Sequence, residues 1–411
     1  MIDYKKAISI IKKNIIKINS EIILSINSIN RISASDVYSP CNYPAADNTS
    51  FDGYAINSKE TRNLTNEKHE KFKILKTLAA GDNPKIKKVP KYSTVEVMTG
   101  AIIRKPFDTV VPIEQIKYFP NKINPKFIIL NKKIKKNNNV RFKSSDYKRG
   151  QKVISKGELI KPSHILAFKT LGIKKIKVKK KLKIIFYTTG NEISNKVKIP
   201  YWKIRNSNNQ FIKSYLKNYP IEFYEKKILR DNDEKLFKKE ISKFLNSDID
   251  IIITSGAVSA GKFDFVPKII KKFKYKSFFK NVAIRPGKPI MFVRFKKNKA
   301  FFGLPGNPIS SAACFKFFVM PYINFSLNNS PEKIFLAKLK SNFYKKKQFT
   351  RFIKGKLTYS HEGIPYFQIL KGQESYKINS FIKSNAWGVF PKGKSKFKKN
   401  NYIKCYINFL E

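Results

Sequence analysis

The chain has 411 residues, 42% of them hydrophobic, which is enough material for two to four packed domains. Its 85 basic residues against 28 acidic ones leave a net charge of +57. Three scattered cysteines (Cys41, Cys314, Cys405) and three scattered histidines (His69, His164, His361) exclude a disulfide framework and a zinc cluster, and fit a reducing cytoplasm. Such a charge points first to nucleic acid or an anionic membrane. The lysines, however, are spread along the whole length, without an Arg-rich tail or an aromatic–basic repeat. Heavy use of Lys, Asn and Ile together follows from A/T-rich codons, so no specific nucleic-acid partner is expected. No stretch approaches eighteen uncharged apolar residues, and Met1-Ile-Asp-Tyr-Lys-Lys does not open a signal peptide, so neither a membrane span nor export is expected. A metal, if used, is expected to be a hard cation held by carboxylates.

In chain order, Ile8, Ile11, Ile15 and Ile18 recur at helical spacing and predict an amphipathic helix over residues 3–19. The segment Pro44-Ala-Ala-Asp-Asn-Thr-Ser-Phe-Asp-Gly-Tyr-Ala-Ile56 places Asp47 and Asp52 around a polar turn, before a strand-like Tyr54-Ala-Ile56. Short apolar runs at 73–75, 94–98, 109–113 and 127–130, with turns between them and no helical period, predict a small β domain. Met98-Thr-Gly-Ala101 ends one of these runs with Thr99 and Gly100. A polar loop, Lys132 to Asn139, leads back through Phe142-Lys-Ser-Ser-Asp146, and a helix closed by Gly172 follows Pro162.

From Leu182 the rhythm becomes alternating strand and helix, the pattern of a doubly wound α/β sheet. Strands are expected at 182–187, 221–229, 249–253 and 291–294, and helices at 206–219, 233–245 and 309–323. The β-branched run Ile249–Ile253 reads as a strand buried on both faces. Its continuation, Gly256-x-x-x-x-Gly261-Lys262, matches the front of a phosphate-binding P-loop. Phe263 stands where that motif needs the Ser or Thr that holds Mg²⁺. Three strands therefore end in glycine-containing polar turns, at 188–192, 254–264 and 303–308. On one sheet, such turns gather at the C-terminal edge, where ligands bind. After Pro331 the chain reads as a second small β domain, with Gly355, Gly363, Gly372 and Gly388 as turn residues.

Several spaced stretches together resemble the molybdopterin molybdenumtransferases, the bacterial relatives of the gephyrin E domain. They are Asp47–Ala55, Met98–Ala101, Thr189-Gly-Asn-Glu192, Thr254–Gly261, Arg285-Pro-Gly-Lys-Pro289 and Gly303-Leu-Pro-Gly-Asn-Pro308, in order along the whole chain. The resemblance implies a multidomain α/β-plus-β fold. A split elongated domain (1–44 and 141–178) would carry linker and dimer contacts, with an inserted β domain at 45–140. A molybdopterin-binding α/β domain (179–328) and a C-terminal β domain (329–411) would follow. It implies a cytoplasmic homodimer whose cleft combines the inserted β domain of one subunit with the α/β domain of the other. It also implies insertion of molybdate into adenylylated molybdopterin with loss of AMP, assisted by Mg²⁺.

The implied catalytic acids are Asp52, Asp146, Glu192 and Asp264, of which Asp52, Glu192 and Asp264 would hold the metal. The implied substrate-binding residues are Thr99, Gly100, Thr189, Gly190, Ser255, Gly256, Ser259, Gly261, Arg285, Lys288, Pro305, Gly306, Asn307 and Pro308. Outward backbone N–H groups at the glycine turns, with Arg285 and Lys288, suit anionic substrates. A partner adenylyltransferase and molybdoenzymes or their chaperones are the implied protein contacts. The chain departs from the family pattern at Ala257, where Gly is usual, at Lys262, where an acid is usual, at Asn191 in place of Asp, and at Arg285 in place of Lys. Asp231 and Asp233 are weaker acid candidates, since Arg230-Asp-Asn-Asp233 also reads as a helix cap. Three other readings compete: an adenylyltransferase acting one step earlier, a non-catalytic scaffold, and a nucleic-acid binder suggested by charge alone.

Overall fold

A computed structural model of the chain describes residues 1–258, 264–329 and 331–408. The first helix runs from Tyr4 to Lys13, shorter than the isoleucine spacing predicted. Asp3 starts it by accepting the Lys6 N–H at 2.8 Å. Asn14 ends it, returning its backbone N–H to the Ile11 carbonyl and its side-chain amide to the Ile10 carbonyl. Beyond it, Ile15 is exposed while Ile16 and Ile18 are buried, so the last two isoleucines belong to an extended segment. Ala7 and Ile11 enter the same core as Phe315, Phe318, Tyr322 and Ile323, which ties the N-terminus to the α/β unit.

Strand Ser20–Leu24 pairs antiparallel with Lys175–Lys179, and Val37–Tyr38 with Lys152–Ile154. Segments on either side of the insertion are thereby zipped together. The helix Pro162–Thr170 ends at Leu171, and Gly172 takes the left-handed φ of +73° just beyond it. The inserted segment forms a six-stranded sheet in the order Thr109–Pro112, Gly53–Ile56, Ser93–Val97, Glu70–Leu78, Phe127–Leu130, Lys117–Phe119. The last of these, a short strand with exposed ends, carried no usable period. Tyr54 and Ile56 face one core and Ala55 the other, as strand alternation requires.

The α/β sheet has the order Ile221–Glu225, Leu182–Thr188, Ile251–Ser255, Ala300–Leu304, Met291–Phe295, Tyr275–Lys280. The first four strands are parallel, and Met291–Phe295 runs antiparallel to both its neighbours, Ala300–Leu304 and Tyr275–Lys280. Every residue of Ile251–Ser255 is buried, because helices cover both faces. Ile251 and Ile253 meet the Phe315–Tyr322 side, and Ile252 meets Phe237 and Ile241 of the helix Glu234–Asn246. Two elements are shorter than predicted, the helix Asn208–Leu216 and the strand Ile221–Glu225. The helical stretch after the sheet is not uniform: α-helix Pro308–Cys314, a π-helical turn Phe315–Val319, then α-helix Met320–Leu327.

In the C-terminal β unit, strand Thr350–Tyr359 pairs with both Pro365–Ile369 and Ala386–Phe390. The latter meets Tyr402–Ile407, and Phe335–Leu339 completes a closed ring. Strand Ile284–Arg285 adds to its edge beside Thr350 and Arg351. Gly363 and Gly372 are turn residues with φ of +75° and +79°. Gly355 and Gly388 are not turns; they lie inside strands. The ring of Phe367 lies against both: a β-carbon on Gly355 would come within 2.1 Å of it, and one on Gly388 within 2.7 Å. A glycine that makes room for a neighbour's ring looks, in sequence, like a glycine that makes a turn.

Candidate active site

The three glycine turns at the C-terminal edge of the parallel strands are bonded to one another. Thr189 donates its N–H and its hydroxyl to the Ser255 carbonyl, at 2.9 and 3.1 Å. The Gly256 N–H reaches the Leu304 carbonyl at 2.9 Å, and the Ser255 hydroxyl reaches the Pro305 carbonyl at 3.2 Å. Gly256 has φ +98°, and a β-carbon there would stand 2.5 Å from the Thr189 hydroxyl. Glycine is thus required where the first two turns close on each other. Gly306 is not constrained in this way. It has no positive φ, and a β-carbon on it would meet only the Gly256 Cα, at 3.8 Å. Asn307 and Pro308 begin the following helix.

The Arg285–Pro289 turn joins from the other side. Gly287, at φ +99°, has the Cys314 sulfur 2.3 Å from where a β-carbon would be, so this turn is seated on the helix that follows Pro308. Cys314 is fully buried, and burial pushes its thiol well above its ordinary range. Arg285 is exposed, with its guanidinium 4.6 Å from the centre of the Phe349 ring. Burial, and then the Arg285 charge, lower the pKa of Arg351. The Arg351 Nε is buried and has no hydrogen-bond partner. Lys288 is exposed.

Gly190 has φ +135°, and the Glu192 carboxylate folds back over its α-carbon. Asp264 is half-buried, and its charge acts on Lys280. Asp146 is exposed and donates its N–H to the Tyr43 carbonyl at 3.1 Å, in the return from the inserted segment. Ser259, Gly261 and Lys262 lie outside the described residues. Asn191 uses its side-chain oxygen to accept the Asp231 N–H at 3.2 Å. Asp233 accepts the Arg230 N–H at 2.7 Å, which gives it a turn-closing role at the start of its helix.

This arrangement has known relatives. A molybdopterin molybdenumtransferase from Staphylococcus epidermidis is 30% identical over 410 residues, covering 99% of this chain and 95% of its own length. The chain belongs to the molybdopterin molybdenumtransferase family. A second relative of that name, from Staphylococcus aureus strain Mu50, is 31% identical over 389 residues, 92% of this chain and 89% of its own. Residues 2–172 match the MoeA N-terminal region (domain I and II). Residues 185–324 match a probable molybdopterin binding domain, and 336–406 the MoeA C-terminal region (domain IV). The crystal structure of a molybdopterin biosynthesis MoeA protein from Pyrococcus horikoshii OT3 has the same fold, at a TM-score of 0.82 and 23% identity, covering 99% of this chain and 100% of its own.

In this family member, Asp52 sits apart from the turns just described. Its Oδ1 accepts the Thr99 N–H at 2.6 Å and the Thr99 hydroxyl at 2.7 Å. The hydroxyl, and then the N–H, hold the Asp52 carboxyl below the usual carboxylate range. Gly100 donates its N–H to the Thr49 carbonyl at 3.0 Å, so the 47–55 and 98–101 stretches form one unit. Asp47 instead caps the backbone, accepting the Lys143 N–H at 2.8 Å. Among the described residues, no three Asp, Glu, His or Cys side chains of one chain gather as a metal-holding group.

Four residues at the joined turns escaped sequence reasoning. Asn208 donates to both the Ser255 hydroxyl and the Gly306 carbonyl at 2.7 Å. Arg230 donates to the Gly190 and Ile193 carbonyls at 2.9 Å each, pinning that turn from below. Arg351 lies beside Arg285, and Ser375 accepts from Asn307 at 3.2 Å. Asn208, Arg351 and Ser375 sit in segments whose only sequence signal was helix or strand. Arg230 was in view only as part of a candidate cap.

Proposed function

We propose that this transferase of molybdenum cofactor biosynthesis inserts molybdate into adenylylated molybdopterin with release of AMP. The observation that carries the reading is the bonded set of turns at 188–192, 254–258 and 303–308, with the Arg285–Pro289 turn seated on the adjoining helix. Every component of the reaction is anionic, and the exposed Arg285 and Lys288, with Arg351 behind, supply compensating charge. Thr189, Gly190, Ser255, Gly256, Pro305, Gly306, Asn307 and Pro308 line the proposed pterin-phosphate end. Molybdate gives up one oxygen, which leaves as water with the two dithiol protons, as two Mo–S bonds form. A second water adds across the adenylyl P–O–P linkage to give AMP and the molybdopterin phosphate, with molybdenum unchanged in oxidation state.

Mg²⁺ is the proposed cofactor. The oxygen donors of Glu192, Asp264 and Asp52 fit a hard cation by type. Bound there, it would neutralise charge on the phosphate oxygens as the P–O bond breaks. The Asp52–Thr99 unit sits in the inserted β segment, and among the described residues no hydrogen bond links that segment to the α/β sheet. This favours a homodimer in which Asp52, Thr99 and Gly100 of a second copy complete the cleft, with Asp146 beside its return strand. Ile22, Leu24 and Leu166 are exposed on the split unit, an apolar surface suited to a second copy. The proposed domain limits are 1–44 with 141–178, 45–140, 179–328 and 329–411.

No helix among the described residues is long and apolar enough to cross a membrane, which accords with the proposed cytoplasmic location. An adenylyltransferase supplying the substrate and molybdoenzymes or chaperones accepting the product are the proposed partners. The test is AMP release from adenylylated molybdopterin plus molybdate, with and without Mg²⁺, by the purified chain. Absence of molybdate-dependent AMP release would remove the reading. Sedimentation at micromolar concentration tests the dimer.

A further inference from the structure

The Ser375 turn belongs to the C-terminal β unit, yet it holds the Gly303–Pro308 turn of the α/β unit. Its carbonyl accepts the Ile309 N–H at 3.1 Å, and its hydroxyl accepts from the Asn307 side chain at 3.2 Å. The element beneath that turn is Lys354, in the middle of strand Thr350–Tyr359 and 1% exposed. The Lys354 Nζ donates to the Lys377 carbonyl at 3.0 Å and to the Glu374 carbonyl at 3.3 Å. Gln373 clasps the same residue from the main-chain side. It accepts the Lys354 N–H at 3.0 Å and donates to the Lys354 carbonyl at 2.8 Å and the Leu370 carbonyl at 2.7 Å. The Ser380 hydroxyl adds bonds to the Gly372 carbonyl at 2.6 Å and the Lys377 carbonyl at 3.1 Å.

Burying an ammonium against neutral carbonyls is costly, and an apolar side chain would fill the same volume more cheaply. What the ammonium does that an apolar chain cannot is hold the Glu374 and Lys377 carbonyls, the two arms of one turn. We propose that Lys354 is a positioning residue for the transfer reaction: through the Gln373–Lys377 turn it fixes Ser375, and through Ser375 it sets Asn307 and the Gly303–Pro308 turn against the substrate. This rests on reading that turn as a substrate-binding loop. The C-terminal β unit is thereby a working part of the site rather than an appendage to it.

The experiment compares the full-length parent with Lys354→Met and Gln373→Leu. The second variant keeps the ammonium, so the test survives if the first does not fold. Amide hydrogen exchange at Ile309 is expected to quicken about tenfold in both variants, while Phe302, in the neighbouring core strand, exchanges as in the parent. KM for adenylylated molybdopterin is expected to rise about tenfold with kcat changed by less than about twofold, a displacement smaller than the 1 Å that costs a hundredfold. Unchanged Ile309 exchange in both variants, or a lowered melting temperature with unchanged KM, would overturn the proposal. Should the parent itself release no AMP, the functional reading fails, while the exchange data still decide whether Lys354 holds the turn.

Discussion

Asp52 and Thr99 form a closed pair: one carboxylate oxygen, Oδ1, takes both the N–H and the hydroxyl of Thr99, at 2.6 and 2.7 Å. An asparagine could keep both bonds through its own Oδ1, so Asp52→Asn isolates the charge. The variant is expected to fold like the parent and to release AMP at least about a hundredfold more slowly. Parent-like AMP release would end the carboxylate role. The Thr99 bonds depress the folded-state pKa, so Asp52 stays ionised until the pH falls through that lowered value. The acid limb it contributes to the rate is therefore expected below the ordinary titration range of an aspartate.

Ala257 carries a left-handed φ of +51°, next to Gly256 at +98°. A non-glycine residue there costs roughly 1–2 kcal/mol. Ala257→Gly is expected to recover about 1 kcal/mol after the added chain entropy of glycine, seen as a rise of about 2–4 °C in the melting temperature of the α/β domain. A fall in melting temperature would show that the methyl group packs usefully.

The outline of the fold was legible wherever a period matched an element. Ile251–Ser255 is buried throughout, as its run of β-branched residues implied, and the helix Glu234–Asn246 began within a residue of its acidic start. Failures came where a residue type serves two purposes. Gly355 and Gly388 yield space to Phe367 and do not turn the chain. Ile15, Ile16 and Ile18 continue the helical spacing, but Asn14 has already closed the helix. At the site, motif glycines could be read singly, but Asn208, Arg230 and Ser375 could not. Their value lies in reaching turns 37 to 98 positions away, which no local pattern encodes.

Glu192 and Asp264, on two different turns, are both proposed to hold the metal. Removing either is expected to weaken AMP release, and the variant that lost a ligand should need more Mg²⁺. Glu192→Ala and Asp264→Ala are to be titrated with Mg²⁺ in the AMP assay. Partial rescue of at least one at high Mg²⁺ is expected. Unaltered Mg²⁺ dependence in both would assign the cation to other residues.

The net charge of +57 tests the other way. Lysines dispersed over the chain can meet phosphates but read no base. Binding to a DNA duplex is expected to be independent of sequence and to fall by about a thousandfold or more between 50 and 200 mM salt. A salt-resistant, sequence-specific complex in a filter or anisotropy assay would make nucleic acid a true partner.

Gly306 and Gly256 face each other across the joined turns, and they are expected to respond differently to substitution. At Gly256, a β-carbon would stand 2.5 Å from the Thr189 hydroxyl and 2.7 Å from its carbonyl, at φ +98°. Gly256→Ala must push Thr189 off the Ser255 carbonyl, and it is expected to cost about 2 kcal/mol or more of stability. At Gly306, the nearest atom to a β-carbon is the Gly256 Cα at 3.8 Å, an ordinary contact, and no positive φ forbids a side chain. Gly306→Ala is therefore expected to fold with stability within about 1 kcal/mol of the parent. Gly306→Val brings two methyl groups to the same place, beside the carbonyl that Asn208 holds at 2.7 Å. If the turn admits the substrate's phosphate closely, those methyls occupy the approach, and molybdopterin affinity should fall far more than the melting temperature does. Calorimetric titration with molybdopterin, alongside thermal unfolding, separates the two effects. Normal binding by a folded Gly306→Val protein would make this turn structural and move the pterin site toward residues 188–192 and 254–258.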